Sequence, residues 1–278
     1  MEEYGNMPKD DQKNLKELLR EQDYFEQYCS KALLFMEEKM TEAAKNLYRE
    51  LDKPQIKFEV SSELEFRPIS MTTSGDIYFG QWNLEDNSHE GIGIGINPRG
   101  QVYQGSFRNN RFHGSGLIIY KSGLRYYKGA IKDHKRNGNG LYVASTGYRY
   151  DGEWENEKAS GYGVETFPSG AKYEGYFVND NRCGFGKYVY PDKERYEGEW
   201  KSHRPNGYGH YIKANGSQHF GNFKDRKTLG FGSEVKPDGR MLQGEWDEVG
   251  IKAGIFTDTK GREYQIKSEK DPVIKKFH

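Results

Sequence analysis

Tyr150-Asp151-Gly152-Glu153-Trp154, followed after a polar gap by Gly161-Tyr162-Gly163, is the stretch whose reading decides the fold. Tyr150, Gly152 and Trp154 stand at i, i+2 and i+4, so in an extended chain they share one face while Asp151, Glu153 and Glu155 point to the other. That alternation is a strand pattern. Asn156 to Ser160 is short and polar and suits a hairpin loop. A second strand then runs from the Gly-x-Gly through Val164-Glu165-Thr166-Phe167 into a turn at Pro168-Ser169-Gly170. The phrase therefore describes one β-hairpin. Glycine weakens a strand, so glycines recurring at fixed offsets need a steric reason; room for a neighbouring unit's Trp or Phe is the expected one.

The phrase returns about every 23 residues. Tyr78-Phe79-Gly80-Gln81-Trp82 leads to Gly91-Ile92-Gly93, Tyr103-Gln104-Gly105-Ser106-Phe107 to Gly114-Ser115-Gly116, and Tyr127-Lys128-Gly129-Ala130-Ile131 to Gly138-Asn139-Gly140. After the Tyr150 copy come Tyr173-Glu174-Gly175-Tyr176-Phe177 with Gly184-Phe185-Gly186, and Tyr196-Glu197-Gly198-Glu199-Trp200 with Gly207-Tyr208-Gly209. A seventh copy, His219-Phe220-Gly221-Asn222-Phe223 with Gly230-Phe231-Gly232, has lost its tyrosine. The eighth, Leu242-Gln243-Gly244-Glu245-Trp246, has Ala253 and Ile255 where the glycines belong, drift that reads as a terminal cap. Residues 57–76 read as a lead-in strand or hairpin, with Thr72-Thr73-Ser74-Gly75 resembling the inter-repeat turns.

These residues resemble the membrane occupation and recognition nexus (MORN) repeat, Tyr-x-Gly-x-Trp followed by Gly-x-Gly, over roughly the last three quarters of the chain. The resemblance implies a mostly β fold: an elongated, single-layer antiparallel sheet of about eight tandem MORN hairpins. Tyr150, Gly152, Trp154, Tyr173, Gly175, Tyr196, Gly198 and Trp200 would be its structural core.

A different segment precedes the array. From about Asp10 to Leu51 there is no proline, and Leu15, Leu18, Phe25, Cys29, Ala32 and Met36, then Met40, Ala43, Leu47 and Leu51 fall at helical spacing. The spacing predicts a long amphipathic α-helix that Pro54 ends, with a slip of heptad phase near Lys39. Its apolar stripe needs a cover: its own sheet, or another protein docked through Leu15, Leu18, Phe25 and Met36. The expected organisation is an N-terminal helix over 1–56, the repeat array with its lead-in strands over 57–266, and a short tail over 267–278.

Composition fits a sheet of this kind. Only 34% of the residues are hydrophobic and 34 are glycine, lean for a compact enzyme of 278 residues, and 21 Tyr and 15 Phe supply the area instead. Forty-two basic residues balance 42 acidic ones, which argues against electrostatic capture of nucleic acid or anionic lipid. Two cysteines, Cys29 and Cys183, make neither a disulfide framework nor a zinc site. No apolar stretch is long enough to span a bilayer, and the charged amino terminus is not a secretory signal. A cytosolic location follows as an expectation, and a cytoskeletal one is what the MORN resemblance implies. Gly91-Ile92-Gly93-Ile94-Gly95 looks briefly like a nucleotide loop, yet its glycines keep phase with the later pairs and no helix pattern follows. His89, His113, His134 and His203 fall in or near hairpin loops without metal or triad spacing and are expected to be solvated. No catalytic residue, metal ligand or cofactor is expected, and the chain reads as a non-enzyme.

The remaining feature is an aromatic ladder. Tyr162, Phe185, Tyr208 and Phe231 occupy the middle of four successive Gly-x-Gly pairs, on the face opposite their glycines. Such a stripe is either core under a covering helix or an exposed surface for a partner's extended peptide or amphipathic helix. Proteins with the MORN resemblance include ciliary and flagellar axoneme components such as the radial spoke. It implies a structural scaffold with other assembly subunits as partners; the alternative it carries is a membrane-apposed phosphoinositide binder with weak membrane-surface binding.

Overall fold

A computed structural model of the chain describes residues 37–51, 63–225 and 227–266, and the backbone of 275–276. It divides into two compact units, residues 1–145 and 146–278.

Among its described residues, unit 1 contains one regular helix, α1 (Glu42–Glu50), and strands β1 (Leu64–Met71), β2 (Ile77–Asn83), β3 (His89–Ile96), β4 (Val102–Arg108), β5 (Arg111–Ile119), β6 (Tyr126–Lys132) and β7 (Lys135–Val143). Each strand pairs antiparallel with its neighbour in sequence, from β1–β2 through β6–β7. The lead-in expected before the first repeat is β1, and the Thr72–Gly75 turn closes with Gly75 at φ +86° and its N–H on Thr72 O at 2.9 Å.

Unit 2 contains β8 (Arg149–Glu155), β9 (Lys158–Thr166), β10 (Lys172–Val178), β11 (Asn181–Val189), β12 (Arg195–Lys201), β13 (Arg204–Ile212), β14 (Gln218–Lys224), β15 (Lys227–Val235), β16 (Met241–Trp246), β17 (Ile251–Thr257), β18 (Glu263–Ile266) and β19 (Lys275–Lys276). These too pair in sequence order, from β8–β9 to β18–β19. Three repeat hairpins in unit 1 and five in unit 2 give the eight read from the sequence.

The hairpin turns explain why the loops are so short. Asn109-Asn110, Asp133-His134, Asn156-Glu157, Asn179-Asp180 and Ser202-His203 all have positive φ at both residues, the signature of the two-residue turn whose twist matches its strands. The second residue of a turn then donates its N–H to the preceding hairpin: His134 to Phe112 O at 3.0 Å in unit 1, and Asp180 to Ala159 O at 2.9 Å in unit 2. Each turn thus staples one repeat to the last.

The glycines have a different steric reason from the one the sequence suggests. In β8–β9 the register runs Gly152↔Gly163 and then Trp154↔Ala159, so Glu153 on one strand opposes Ser160, Gly161 and Tyr162 on the other. This bulge takes the Glu153 carbonyl out of the ladder, and the Tyr150 hydroxyl donates to it at 2.9 Å. To reach it, the Tyr150 ring lies flat over Gly163, where an added Cβ would stand 2.6 Å from Tyr150 Cζ. The tyrosine of the same hairpin fills the glycine space, and a neighbour's Trp or Phe does not. The same bond recurs from Tyr103 to Ser106 O at 2.7 Å and from Tyr196 to Glu199 O at 3.0 Å. The neighbour's ring packs edge-on against that tyrosine: Tyr150–Phe177 at 5.1 Å, Tyr173–Trp200 at 5.0 Å and Tyr196–Phe223 at 5.1 Å. Tyr150, Tyr173 and Tyr196 are buried, as are Trp154 and Trp200. Gly152, Gly175 and Gly198 face Gly163, Gly186 and Gly209 across their hairpins.

No single long helix reaches Leu51. Glu37–Lys39 is helical, the chain breaks at Met40, and Thr41 in extended conformation (φ −64°, ψ 153°) begins α1 afresh, its hydroxyl accepting the Ala44 N–H at 3.2 Å. Thr41 is a favoured N-cap, so the local hydrogen bond wins over continuation, at the place where the heptad phase slips. Leu15, Leu18, Phe25 and Met36 lie outside the described residues. What α1 covers is its own sheet. Met40, Ala44 and Tyr48 form a buried cluster with Ile94, Ile96, Val102, Leu117 and Ile119, and the Tyr48 hydroxyl donates to Gln104 Oε1 at 2.7 Å. These strand residues alternate with the Tyr/Gly positions, so α1 lies on the outer face, opposite the tyrosines. Unit 1 is therefore two-layered beneath α1.

Candidate functional site

In unit 2 the described residues place no helix over the outer face, and the aromatic ladder lies open on it. Tyr162, Phe185, Tyr208 and Phe231 are 44%, 62%, 59% and 76% exposed. The alternative of a ladder buried under a helix is thus not what this face shows. Tyr176, which the sequence reading left out, is 51% exposed and belongs with them: it sits directly across from Tyr162, with ring centroids 5.5 Å apart. Its position in the Tyr-x-Gly-x-Trp phrase is Glu, Gln or another polar residue in most copies. Comparing the fourth residue of each phrase with the middle residue of the preceding Gly-x-Gly would have found it.

Along this row the rings alternate with polar partners on the facing strand: Phe185 opposes Glu199, Tyr208 opposes Asn222, and Phe231 opposes Glu245. Glu153 has a structural duty here, its Oε1 accepting the Tyr162 N–H at 2.7 Å, one of the donors that the bulge leaves free. Tyr162 in turn donates its hydroxyl to Glu174 at 3.0 Å, and Glu174 also pairs with Lys172 at 3.2 Å. These bonds hold the Glu174 carboxyl below its ordinary value and push the Tyr162 hydroxyl up. The site is a fixed row of rings beside ionised carboxylates.

Unit 1 and unit 2 use the outer face in opposite ways. Where unit 1 has Ile94 and Leu117 under α1, the matching repeat positions of unit 2 are Val164, Lys187, His210 and Ser233; where it has Val102, unit 2 has Arg149, Lys172 and Arg195. Conversely, the ladder positions of unit 1 hold Ile92, Ser115 and Asn139. The charges of unit 2 replace the aliphatic seat that α1 occupies, and the rings appear one row nearer the hairpin turns.

The histidines are not all solvated loop residues. His89 stacks on Tyr78 at 3.7 Å, half-buried, and His134 lies against Phe112 at 4.6 Å; burial lowers the basicity of both. His113 Nδ1 is buried without a hydrogen bond, whereas His134 and His203 are exposed, as the sequence leads one to expect. His219 takes the tyrosine's place in its repeat, 6% exposed, with its Nε2 unbonded. Stacking an imidazole on a ring uses its apolar face, which the loop-like sequence context of His89 did not reveal. Among the described residues no three of His, Cys, Asp and Glu converge where they could hold a metal ion, and no helix is long and apolar enough to cross a membrane.

Interlocked β-hairpins of this kind, each repeating one Tyr/Gly/Trp phrase, define a tandem hairpin-repeat protein. The MORN repeat family model matches residues 103–125, 127–147, 150–172, 173–195 and 196–218, so the chain carries five MORN repeats in tandem. No curated protein matches it. Among solved structures, the chain is similar to the TCP10 domain of Danio rerio CPAP in complex with a STIL peptide, at 14% identity over 76% of this chain and 96% of that one, with a TM-score of 0.35. It is similar also to the TCP domain of Drosophila melanogaster SAS-4 (dCPAP) in complex with a proline-rich motif of Ana2, at 14% identity over 76% of this chain and 96% of that one, with a TM-score of 0.31. At such TM-scores the likeness carries no argument about what this chain binds.

Proposed function

We propose that this MORN-repeat chain is a non-catalytic scaffold that docks partner proteins on the outer face of unit 2, within the ciliary or flagellar axoneme in an assembly such as the radial spoke. The observation that carries the docking role is the open row of Tyr162, Tyr176, Phe185, Tyr208 and Phe231 on a face whose counterpart in unit 1 lies under α1. Exposed aromatics on a rigid backbone make good anchors, because they bury large area while few torsions are frozen. The axonemal setting is supported by analogy with other MORN proteins, and the docking role of the segment bearing Leu15, Leu18, Phe25 and Met36 by its sequence pattern. The phosphoinositide reading finds no support in the ladder face, where carboxylates stand beside the rings.

The test is proximity labelling in ciliated cells with three forms: the full-length protein, a Phe185→Ala/Tyr208→Ala variant and a form lacking residues 1–36. Enrichment of axonemal proteins that falls at least about fivefold in the ring variant, in line with two anchors of about 1 kcal/mol each, is the expected result. Enrichment untouched by the ring variant sinks the ladder as the docking surface. Membrane neighbours, together with salt-sensitive binding to phosphoinositide vesicles, would establish the lipid reading instead.

A further inference from the structure

The chemistry of the ladder narrows what kind of segment it takes. Across the two outer rows that hold the rings and their neighbours, unit 2 carries Asp151, Glu153, Glu174, Glu197, Glu199 and Glu245, against Lys187 and His210 within those rows and two lysines at their margins, Lys172 at 3.2 Å from Glu174 and Lys252 at 3.6 Å from Glu245. The charge balance of the whole chain is zero, so the acidic excess of these two rows comes from placement and not from composition. An electron-rich ring face attracts a cation, and more strongly beside a carboxylate that also repels anionic ligands.

Spacing selects the backbone. Tyr162, Phe185, Tyr208 and Phe231 lie on β9, β11, β13 and β15, every second strand, which places them about 9.6 Å apart at ordinary strand spacing. An extended left-handed chain advances about 9.3 Å in three residues and returns the same face at each third position. A helix on this surface would have to lie over the rows where α1 sits in unit 1, and there unit 2 presents Lys172, Lys187, Arg195 and His210 instead of an aliphatic seat.

Resting on the reading of the ladder as a docking surface, we infer that its partner is an extended cationic segment with an Arg or Lys at every third residue, each cation seated over one ladder ring and paired with the carboxylates that flank it. The segment runs across the strands, along the row of rings.

The probe is a fluorescein-labelled peptide of five Arg-Pro-Pro repeats, titrated with the full-length protein at low and physiological salt. Two peptides of equal length serve as controls: five Arg followed by ten Pro, with the same charge but no period, and five Glu-Pro-Pro repeats. The periodic cationic peptide is expected to bind about tenfold more tightly than its blocked isomer, two or more cation–ring contacts contributing the difference, and the acidic one not at all. Phe185→Ala/Tyr208→Ala and, separately, Glu197→Lys/Glu199→Lys should each weaken the periodic peptide about tenfold, with circular dichroism and amide exchange confirming the fold. Equal affinity for the periodic and blocked peptides, or undiminished binding by the ring variant, overturns the inference. If the ring variant loses its cellular partners while no cationic peptide binds, the docking role stands and the chemistry assigned to the partner falls.

Discussion

At the scale of single residues, the tyrosine over its paired glycines is the unit on which the repeats depend, and two substitutions separate its terms. Alanine at Gly186 would put a Cβ 2.6 Å from Tyr173 Cζ, and that ring is held by its bond to Tyr176 O at 3.2 Å and by Trp200 against its edge. Gly186→Ala is expected to cost about 2–3 kcal/mol through overpacking. At Gly239, φ is +88° and nothing lies within 4 Å, so Gly239→Ala should cost only the strain of a left-handed alanine, about 1 kcal/mol. Urea denaturation of both decides it, and equal costs would remove the steric account of the repeat glycine. His219 tests the same unit from the other side. The three atoms nearest a Cβ built at Gly232 are all backbone, so no ring lies over this glycine as Tyr173 lies over Gly186, while the imidazole Nε2 is buried and unbonded. His219→Tyr is expected to stabilise unit 2 by about 1 kcal/mol, a hydroxyl gaining a carbonyl that the bulge leaves exposed. In the wild type, burial holds the His219 imidazole below its ordinary value of 6.5, outweighing the attraction of Glu234, while Lys213 and Lys236 push the same way as burial. A depressed folded-state value means that the unfolded chain takes up the proton first. Stability attributable to His219 is therefore complete above about pH 6.5 and is lost as the pH falls below it. The slope of stability against pH between 7 and 5 should flatten in His219→Tyr.

Among the elements, α1 shows how tightly a short helix can be specified. Gly123 (φ +63°) approaches the Ala43–Ala44 backbone so closely that no Cβ fits between them, and the Thr41 hydroxyl donates to Lys121 O at 3.0 Å across the same contact. Gly123→Ala should displace α1 from the sheet, exposing Ile94, Leu117 and Ile119, and amide exchange over residues 42–50 should rise at least about tenfold while the strand hydrogen bonds of β8–β17 keep their protection. Unchanged exchange in α1 would show that the turn yields instead of the helix. The hairpins were legible in the sequence because Tyr150, Gly152 and Trp154 obey a period of two, and because turn pairs such as Asn179-Asp180 tolerate positive φ. The break at Thr41 was half legible: the phase slip near Lys39 marked the place, but a capping threonine inside a helical run looks like any solvent-facing residue. The seat of α1 could not be read, since Ile94 and Leu117 alternate in the same way whether their face is covered or open. The ladder posed the same ambiguity, and what resolves it is the replacement of aliphatic neighbours by Lys187 and His210, a difference between repeats that a consensus reading averages away. Tyr176 was missed for that reason too.

For the molecule as a whole, the decisive property is that within each unit every strand pairs with its neighbours in sequence, so contacts are local and stability is a sum of hairpins and the interfaces between successive hairpins. A local lesion should therefore spread by decay along the array instead of unfolding a unit at once. Phe223 provides a test: it is 6% exposed and closes the edge of Tyr196 at 5.1 Å, the single aromatic link by which β14 packs on the tyrosine of the preceding hairpin. Phe223→Ala removes that ring at a cost of about 3 kcal/mol. Native-state amide exchange in unit 2 should lose most protection in β14–β15, less in β12–β13, and least in β8–β9, whose Tyr150 is locked by Phe177 at 5.1 Å and never touches the lesion. A uniform loss from β8 to β17 would mean that unit 2 unfolds as one cooperative body. The graded result would matter for the ladder as well. Its rings span β9 to β15, so a sheet that frays by hairpins sheds its docking positions one at a time, and Phe231, in the same β14–β15 hairpin as His219, is expected to be the first to lose its fixed place as the pH falls.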